Sequence, residues 1–370
     1  RGRRSAAVFV AAGLAAALLA VAVVVYATTP RAGRGVVVRV TVPRGVTTNE
    51  LTGILWRAGV IDRPWAFQPL ALWMGVADRV RPGMIALRDD LAPWVVLRAL
   101  ARSRGLARVT VPEGFTRFEL ARRLESAGVC DAERFLLRTE APDMLQRAGV
   151  AAEPGASLEG YLFPDTYDLP LAADVDEVIG RMTRVFSLRL EALKTRHPEG
   201  VARALGVAGA DPAAVDQVIV TMASLVEKET GTPDDRPRVA AVFWNRLTRP
   251  DFHPRLLQSD PTVVYGCVAG PRAGLFAGAC GDADAGARMP ITAAMLDDAR
   301  NPWNTYRHEA LPPTPVCNPG AAALEAALAP AATDDLYFVA RPDGRSAFAR
   351  TLDEHRRNVR ELLGPGRRRP

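Results

Sequence analysis

The chain has 370 residues, 48% hydrophobic and 24% charged, enough for two or more domains with their own cores and too apolar for a disordered polymer. Its net charge is +6, but almost all of the 47 basic residues are Arg, spread along the chain with clusters at the two ends. No basic patch with interleaved aromatics appears, which argues against nucleic acid as a partner.

Residues 1–5 carry the first basic cluster, and from Ala6 to Ala27 there is no charge at all. At ~1.5 Å per residue that run matches the ~30 Å hydrocarbon core of a bilayer, and it exceeds the ~7–15 apolar residues of a cleaved signal peptide. Residues 6–29 therefore read as a transmembrane helix. Arginine on its N-terminal side leaves 1–5 in the cytoplasm and sends the rest of the chain out. A linker, 30–35, follows.

Residues 39–62, RVTVPRGVTTNELTGILWRAGVID, and 108–131, RVTVPEGFTRFELARRLESAGVCD, are two gapless copies of one unit. Each reads as an alternating strand, a Pro-x-Gly turn and a helix with Thr47 or Thr116 near its cap. Leu51 and Leu55, or Leu120 and Leu124, face inward. Between the copies lie a helix over 64–74, a short strand around 84–87 and a helix over 93–102. We divide this part into an α+β module, 36–105, and a second repeat unit with its connector, 106–150. A duplicated scaffold and a glycan-binding module are equally good readings of it.

From residue 151 the loop AAEPGASLEGYLFPDTYDLP is dense in aromatics, acids and prolines, a composition that lines something more often than it merely connects. Glu159 and Asp165 can bind sugar hydroxyls, and Tyr161 and Tyr167 can stack on sugar rings; an ordered loop tied down by its own side chains explains them as well. A packing helix over 174–194 comes next. The stretch 211–231, DPAAVDQVIVTMASLVEKETG, then has both helix ends written in: Asp211 as N-cap, Pro212 in the first turn, Gly231 as the stop. It is apolar nearly all round, so it reads as a buried central helix. Glu227 and Glu229 fall in its last turn, beside apolar surface and at the negative end of the helix dipole, where a carboxylate is disfavoured. A general acid needs that. Two positions apart means a divergence of ~200°, so the helix cannot aim both at one bond.

A helix over 235–249 follows, then LLQSDPTVVYG, 256–266, where Gln258, Ser259, Asp260 and Thr262 form a polar turn ahead of an apolar strand. Residues 291–320 hold a short helix, NPWNTY with Asn304, Thr305 and Tyr306, and a Pro-rich loop. A helix over 321–329, a strand at 336–340, a Gly turn, a second strand and a last amphipathic helix to Leu363 close the domain 151–364, ahead of a basic tail, 365–370. Four cysteines (Cys130, Cys267, Cys280, Cys317) and four histidines (His197, His253, His308, His355) lack metal-ligand spacing, so neither metal nor cofactor is expected. Outside the cytoplasm a Cys267–Cys280 disulfide is the preferred pairing, although spacing alone does not fix connectivity.

LEGYLFPDTY, ASLVEKET, FWNRL, LQSDPTVVYG, NPWNTY, LPP, NPG and LYFVA, in this order, resemble the YceG-like (MltG) family of endolytic murein transglycosylases. The resemblance runs from about residue 36 to the last helix. It implies a single-pass inner-membrane protein with a LysM-like module and an α+β catalytic domain facing the wall, cutting nascent peptidoglycan strands and leaving 1,6-anhydro-N-acetylmuramic acid ends. Penicillin-binding proteins and the elongation machinery are the partners it suggests. By the same resemblance the first acid of EKET, Glu227, is catalytic, while Glu159, Tyr161, Glu229, Gln258, Asp260, Thr262, Asn304, Thr305 and Tyr306 line the substrate site. Ser259 stands for a common Thr, Trp303 for a Tyr, and Ala310 and Thr314 where glycines are frequent. Two other readings stay open: a muramidase-type hydrolase with Asp260 or Glu159 as second carboxylate, and a wall-binding scaffold without chemistry.

Overall fold

A computed structural model describes residues 21–43, 45–102, 105–151, 155–272, 274 and 290–363. Most of the expected membrane span, the basic segment 1–5, the tail 365–370 and Cys280 lie outside the described residues. Residues 21–28 are helical, and among the described residues no helix is long and apolar enough to cross a membrane.

Both copies of the repeat form strand, turn and helix. The first gives β1 (Val37–Val42) and α1 (Thr48–Arg57). Then come α2 (Pro64–Trp73), α3 (Val76–Arg79), β2 (Gly83–Arg88) and α4 (Pro93–Arg102). The second copy gives β3 (Leu106–Thr110) and α5 (Arg117–Ser126). Each repeat helix opens with a reciprocal capping box. Thr47 Oγ1 accepts from the Glu50 N–H at 3.3 Å while Glu50 accepts from the Thr47 N–H at 2.9 Å. Thr116 and Glu119 do the same at 3.3 and 2.8 Å, so one sequence signature satisfies two orphan donors in both places. Leu51, Leu55, Leu120 and Leu124 are fully buried, as their spacing requires.

After α6 (Ala132–Thr139), α7 (Pro142–Arg147) and β4 (Thr166–Pro170) the chain is mainly helical. Its elements are α8 (Val175–Arg196), α9 (Pro198–Val207), α10 (Val215–Glu229), α11 (Arg236–Thr248), α12 (Asp260–Arg272), α13 (Ala293–Asp297) and α14 (Ala321–Leu328). A hairpin of β5 (Tyr337–Ala340) and β6 (Ser346–Ala349) precedes α15 (Leu352–Leu363). One sheet has the order β1-β2-β3-β4, with β1 and β2 antiparallel.

The chain divides into two compact units. The first, residues 1–108 with 127–129 and 168–173, has a core of Val40, Val42, Leu51, Leu55, Phe67, Val96, Leu97 and Leu100. The second holds the remainder, including α5 of the second repeat copy. At its centre α10 is buried at every position from Val218 to Val226, as its all-round apolar pattern requires.

Two local expectations need correction. The central helix does not stop on a left-handed Gly231. It ends at Thr230, extended at φ −102°, whose hydroxyl donates to the Val226 carbonyl at 2.7 Å. Gly231 is required for another reason: a Cβ there would lie 2.8 Å from the Gly344 carbonyl oxygen. The apolar VVYG segment is a helix, α12, and not a strand. Its start is set by Pro261 in the first turn and by Thr262, whose hydroxyl donates to the Ser259 carbonyl at 2.6 Å. Burial of Val263, Tyr265 and Cys267 then outweighs the β preference of paired valines.

Candidate active site

The last turn of α10 sends its two glutamates in different directions. Glu229 lines a cavity of about 240 Å³ with Gln258, Asp260, Tyr306, Arg246, Leu257, Tyr337, Phe338 and His355 around it. Its Oε1 accepts a hydrogen bond from Ser259 Oγ at 2.7 Å. Glu227 is not among the lining residues. Its Oε1 is 3.0 Å from Arg236 Nη2, and its Oε2 accepts from the Gly320 N–H at 3.0 Å. The same Arg236 nitrogen reaches Glu113 Oε2 at 3.4 Å. Glu227 thus serves as a strut between α11, the second-repeat turn and the start of α14. The ~200° divergence of the pair separates the two environments. A cation nine residues on and a backbone donor far away in sequence replace the bare apolar surroundings expected for Glu227.

The 258–262 turn is fixed from beneath. Gln258 adopts a left-handed backbone, φ 56°, that costs a residue with a side chain about 1–2 kcal/mol. Its N–H donates to the Thr305 carbonyl at 3.0 Å, and the conformation carries its side chain to the cavity wall. Thr262 and Thr305 are buried with their hydroxyls 2.9 Å apart, and the Ser259 N–H donates to Thr305 Oγ1 at 3.0 Å. Asn304, also buried, donates to the carbonyls of Leu296 and Asp298 at 3.0 Å each and of Met295 at 3.2 Å. These three residues hold the floor rather than face the opening. Asp260 and Tyr306 do face it, with Tyr306 Oη donating to Asp260 Oδ1 at 2.5 Å.

Glu159 and Tyr161 are placed elsewhere. Glu159 is fully enclosed, accepting from the Arg117 N–H and from Asn318 Nδ2 at 3.0 Å. Burial pushes its carboxyl up to about 7 against the pull of Arg117 and of the hydrogen bonds from Arg117 N–H and Tyr265. It ties the loop to the N-terminus of α5 from inside and presents no oxygen to a ligand. Tyr161 packs edge-on to Phe186 with centroids 5.1 Å apart. It borders a separate cavity of about 320 Å³ with Gln217, Trp303 and Pro313.

Sequence reasoning missed the cationic and aromatic side of the Glu229 cavity. Arg246 is almost completely buried; burial lowers its guanidinium to about 10, so it stays a cation at neutral pH. It donates to the Leu257 carbonyl at 2.6 Å and to the Leu336 carbonyl at 2.7 Å. His355 stacks on Tyr337 at 5.4 Å between centroids. FWNRL and LYFVA were visible as motifs, but nothing local says that they meet. Among the described residues no His, Cys, Asp and Glu cluster fits a metal ion. Cys267 is disulfide-bonded, and Cys130 and Cys317 are free thiols.

The wall of this partly open cavity thus carries two carboxylates, Glu229 and Asp260, beside the rings of Tyr306, Tyr337 and Phe338. The comparison with known families is specific: the YceG-like family matches residues 40–361, and the chain belongs to it. Curated relatives include the endolytic murein transglycosylase of Bacillus subtilis, 29% identical over 86% of this chain and 82% of its own length. The protein of the same name from Streptococcus pneumoniae R6 is 27% identical over 88% of this chain and 58% of its own length. The crystal structure of a putative YceG-like protein from Listeria monocytogenes shares the fold, with a TM-score of 0.53, 24% identity, and coverage of 88% of this chain and 99% of that one.

Proposed function

We propose that this protein is a membrane-anchored endolytic lytic transglycosylase of peptidoglycan, with Glu229 rather than Glu227 as its acid and base. The observation that carries the reading is Glu229 in the wall of a cavity with Gln258, Asp260 and Tyr306, while Glu227 is spent on Arg236 and Gly320. The names of the relatives supply the substrate class.

In ordinary glycoside hydrolysis two carboxylates flank the scissile bond. When the muramoyl C6 hydroxyl is the nucleophile, it is already tethered to the reacting sugar and proximity comes from the substrate. One carboxyl group then serves twice. Protonated Glu229 gives its proton to the leaving glycosidic oxygen between N-acetylmuramic acid and N-acetylglucosamine. As carboxylate it takes the proton from the C6 hydroxyl that attacks C1, and a 1,6-anhydro end results. Ser259 orients the carboxyl group. Gln258, Asp260 and Tyr306 contribute positioned hydrogen-bonding groups for the sugar, and the Arg246 cation sets the local field.

The test is a digest of purified peptidoglycan with the wild-type chain and with Glu229→Gln and Glu227→Gln, read by mass spectrometry of the released glycans. Internal fragments with anhydro ends that vanish only with Glu229→Gln support the reading. Reducing ends would favour Asp260 as a second carboxylate and water as nucleophile. Full activity of Glu229→Gln would remove Glu229 from the mechanism.

A further inference from the structure

The outer face of α2 is the least ordinary surface among the described residues. The helix, PWAFQPLALW, has no charged residue. Phe67 and Ala71 are fully buried in the core of the first unit. On the opposite side Trp65 is 75% exposed, Leu72 60% and Trp73 78%, with Pro69 also exposed. Positions 65, 69, 72 and 73 are spaced i, i+4, i+7 and i+8, so they form one stripe. A helix apolar on both faces calls for a second apolar neighbour, and Trp prefers an aqueous–apolar boundary.

The position of that face relative to the apolar N-terminal run identifies the neighbour. In the helical segment 21–28, Tyr26 packs on the core of the first unit and Ala27 is buried, while Val21, Val24 and Val25 are 60, 60 and 55% exposed. The helix end is closed by Thr28 and Thr29, whose hydroxyls donate to the carbonyls of Val24 and Val25 at 2.8 and 2.6 Å. Tyr26 Oη donates to the carbonyl of Arg63 at 3.2 Å, and Arg63 is the residue immediately before α2. The C-terminal end of the uncharged run from Ala6 to Ala27 is therefore tied to the residue that precedes α2, two positions before Trp65. Arg57 and Arg63 flank α2 with exposed side chains, suited to the phosphates of lipid headgroups.

We propose that Trp65, Pro69, Leu72 and Trp73 of α2 lie in the headgroup–acyl boundary of the bilayer that the N-terminal run enters, so that the first unit rests on the membrane surface. The proposal rests on the membrane-anchor reading above and adds to it a second, interfacial contact of the kind made by amphipathic surface helices.

The full chain, reconstituted into phosphatidylcholine–phosphatidylglycerol vesicles with and without brominated acyl chains, tests it through tryptophan emission, beside the Trp65→Ser/Trp73→Ser double variant. Both positions are exposed, so the variant folds and its circular dichroism matches wild type. The expected result is bromolipid quenching in wild type, most of which is lost in the double variant. Flotation with the vesicles separates the two readings. If the chain does not float, the anchor reading falls and this proposal with it. If it floats but quenching is absent, or equal in wild type and variant, the anchor stands and the docking is overturned. Emission from these tryptophans that shifts with protein-to-lipid ratio, or on addition of glycan fragments, without bromolipid quenching, would assign the face to a second copy or to a glycan strand and equally overturn it.

Discussion

Glu227 and Glu229 share a turn but have different surroundings, and substitutions separate the roles proposed for them. Glu229→Gln keeps shape and removes the titrating group, so kcat falls by about 10²–10⁴-fold, the usual contribution of general acid–base catalysis. Glu227→Gln breaks the ion pair with Arg236 while an amide oxygen can still accept from the Gly320 N–H. Its cost is expected in stability and in a smaller loss of kcat, with the pH profile keeping its wild-type shape; a profile that loses a limb would return the acid to Glu227. Glu159 gives a stability prediction with a definite sign. Its folded pKa of about 7 lies above the ordinary glutamate value of 4.5, so the folded state binds more protons between those pH values. Its contribution is full below about 4.5 and is lost as pH rises to about 7. Denaturant titrations of wild type should weaken across that window, and Glu159→Gln should flatten the slope; an unchanged slope would assign it to another group.

At the scale of elements, what could be read from sequence was whatever is local. The capping boxes at Thr47 and Thr116, the N-cap at Asp211, whose side chain accepts from the Ala213 N–H at 2.9 Å, and the all-round burial of α10 were all legible. The helix over 260–272 was not, because its stability comes from contacts with distant residues. Gly266 is an example: a Cβ there would lie 2.0 Å from Asn301 Oδ1, inside α12 at its tightest approach. Gly266→Ala should cost at least the about 1–3 kcal/mol of an overpacked core, measured as a lower denaturation midpoint. The departures from the family pattern also gain a physical meaning. Trp303 and Thr314 meet each other, with Trp303 Nε1 donating to Thr314 Oγ1 at 2.9 Å, so two unusual residues form one buried contact. Ala310 has φ 78°, a left-handed backbone that a glycine takes more easily. Ala310→Gly should therefore stabilise the protein by up to about 1 kcal/mol, seen as a raised thermal midpoint.

For the whole molecule the duplicated repeat is the informative feature, because two copies of one sequence pattern have been put to different uses. Both copies make the same strand, turn and capped helix, yet the first contributes to one unit and the helix of the second belongs with α10 in the other. Sequence could reveal the duplication but not this divergence, since the residues that differ act only through distant partners. At the turn, Glu113 of the second copy reaches Arg236, and the Gly114 carbonyl accepts from Lys228 Nζ at 3.2 Å. The equivalent glycines provide a matched test. Gly45 and Gly114 have φ of 67° and 74°, so valine at either pays about 1–2 kcal/mol of left-handed strain. A Cβ at Gly45 meets nothing within 4 Å, whereas one at Gly114 lies 3.6 Å from Glu227 Cγ and 3.9 Å from Lys228 Cδ. The added methyls of valine would press on that turn of α10 in the second copy alone. Gly45→Val and Gly114→Val should therefore lower stability alike while only Gly114→Val lowers kcat on peptidoglycan. Equal kcat for the two variants would mean that the second-repeat turn supports the fold without positioning the last turn of the central helix.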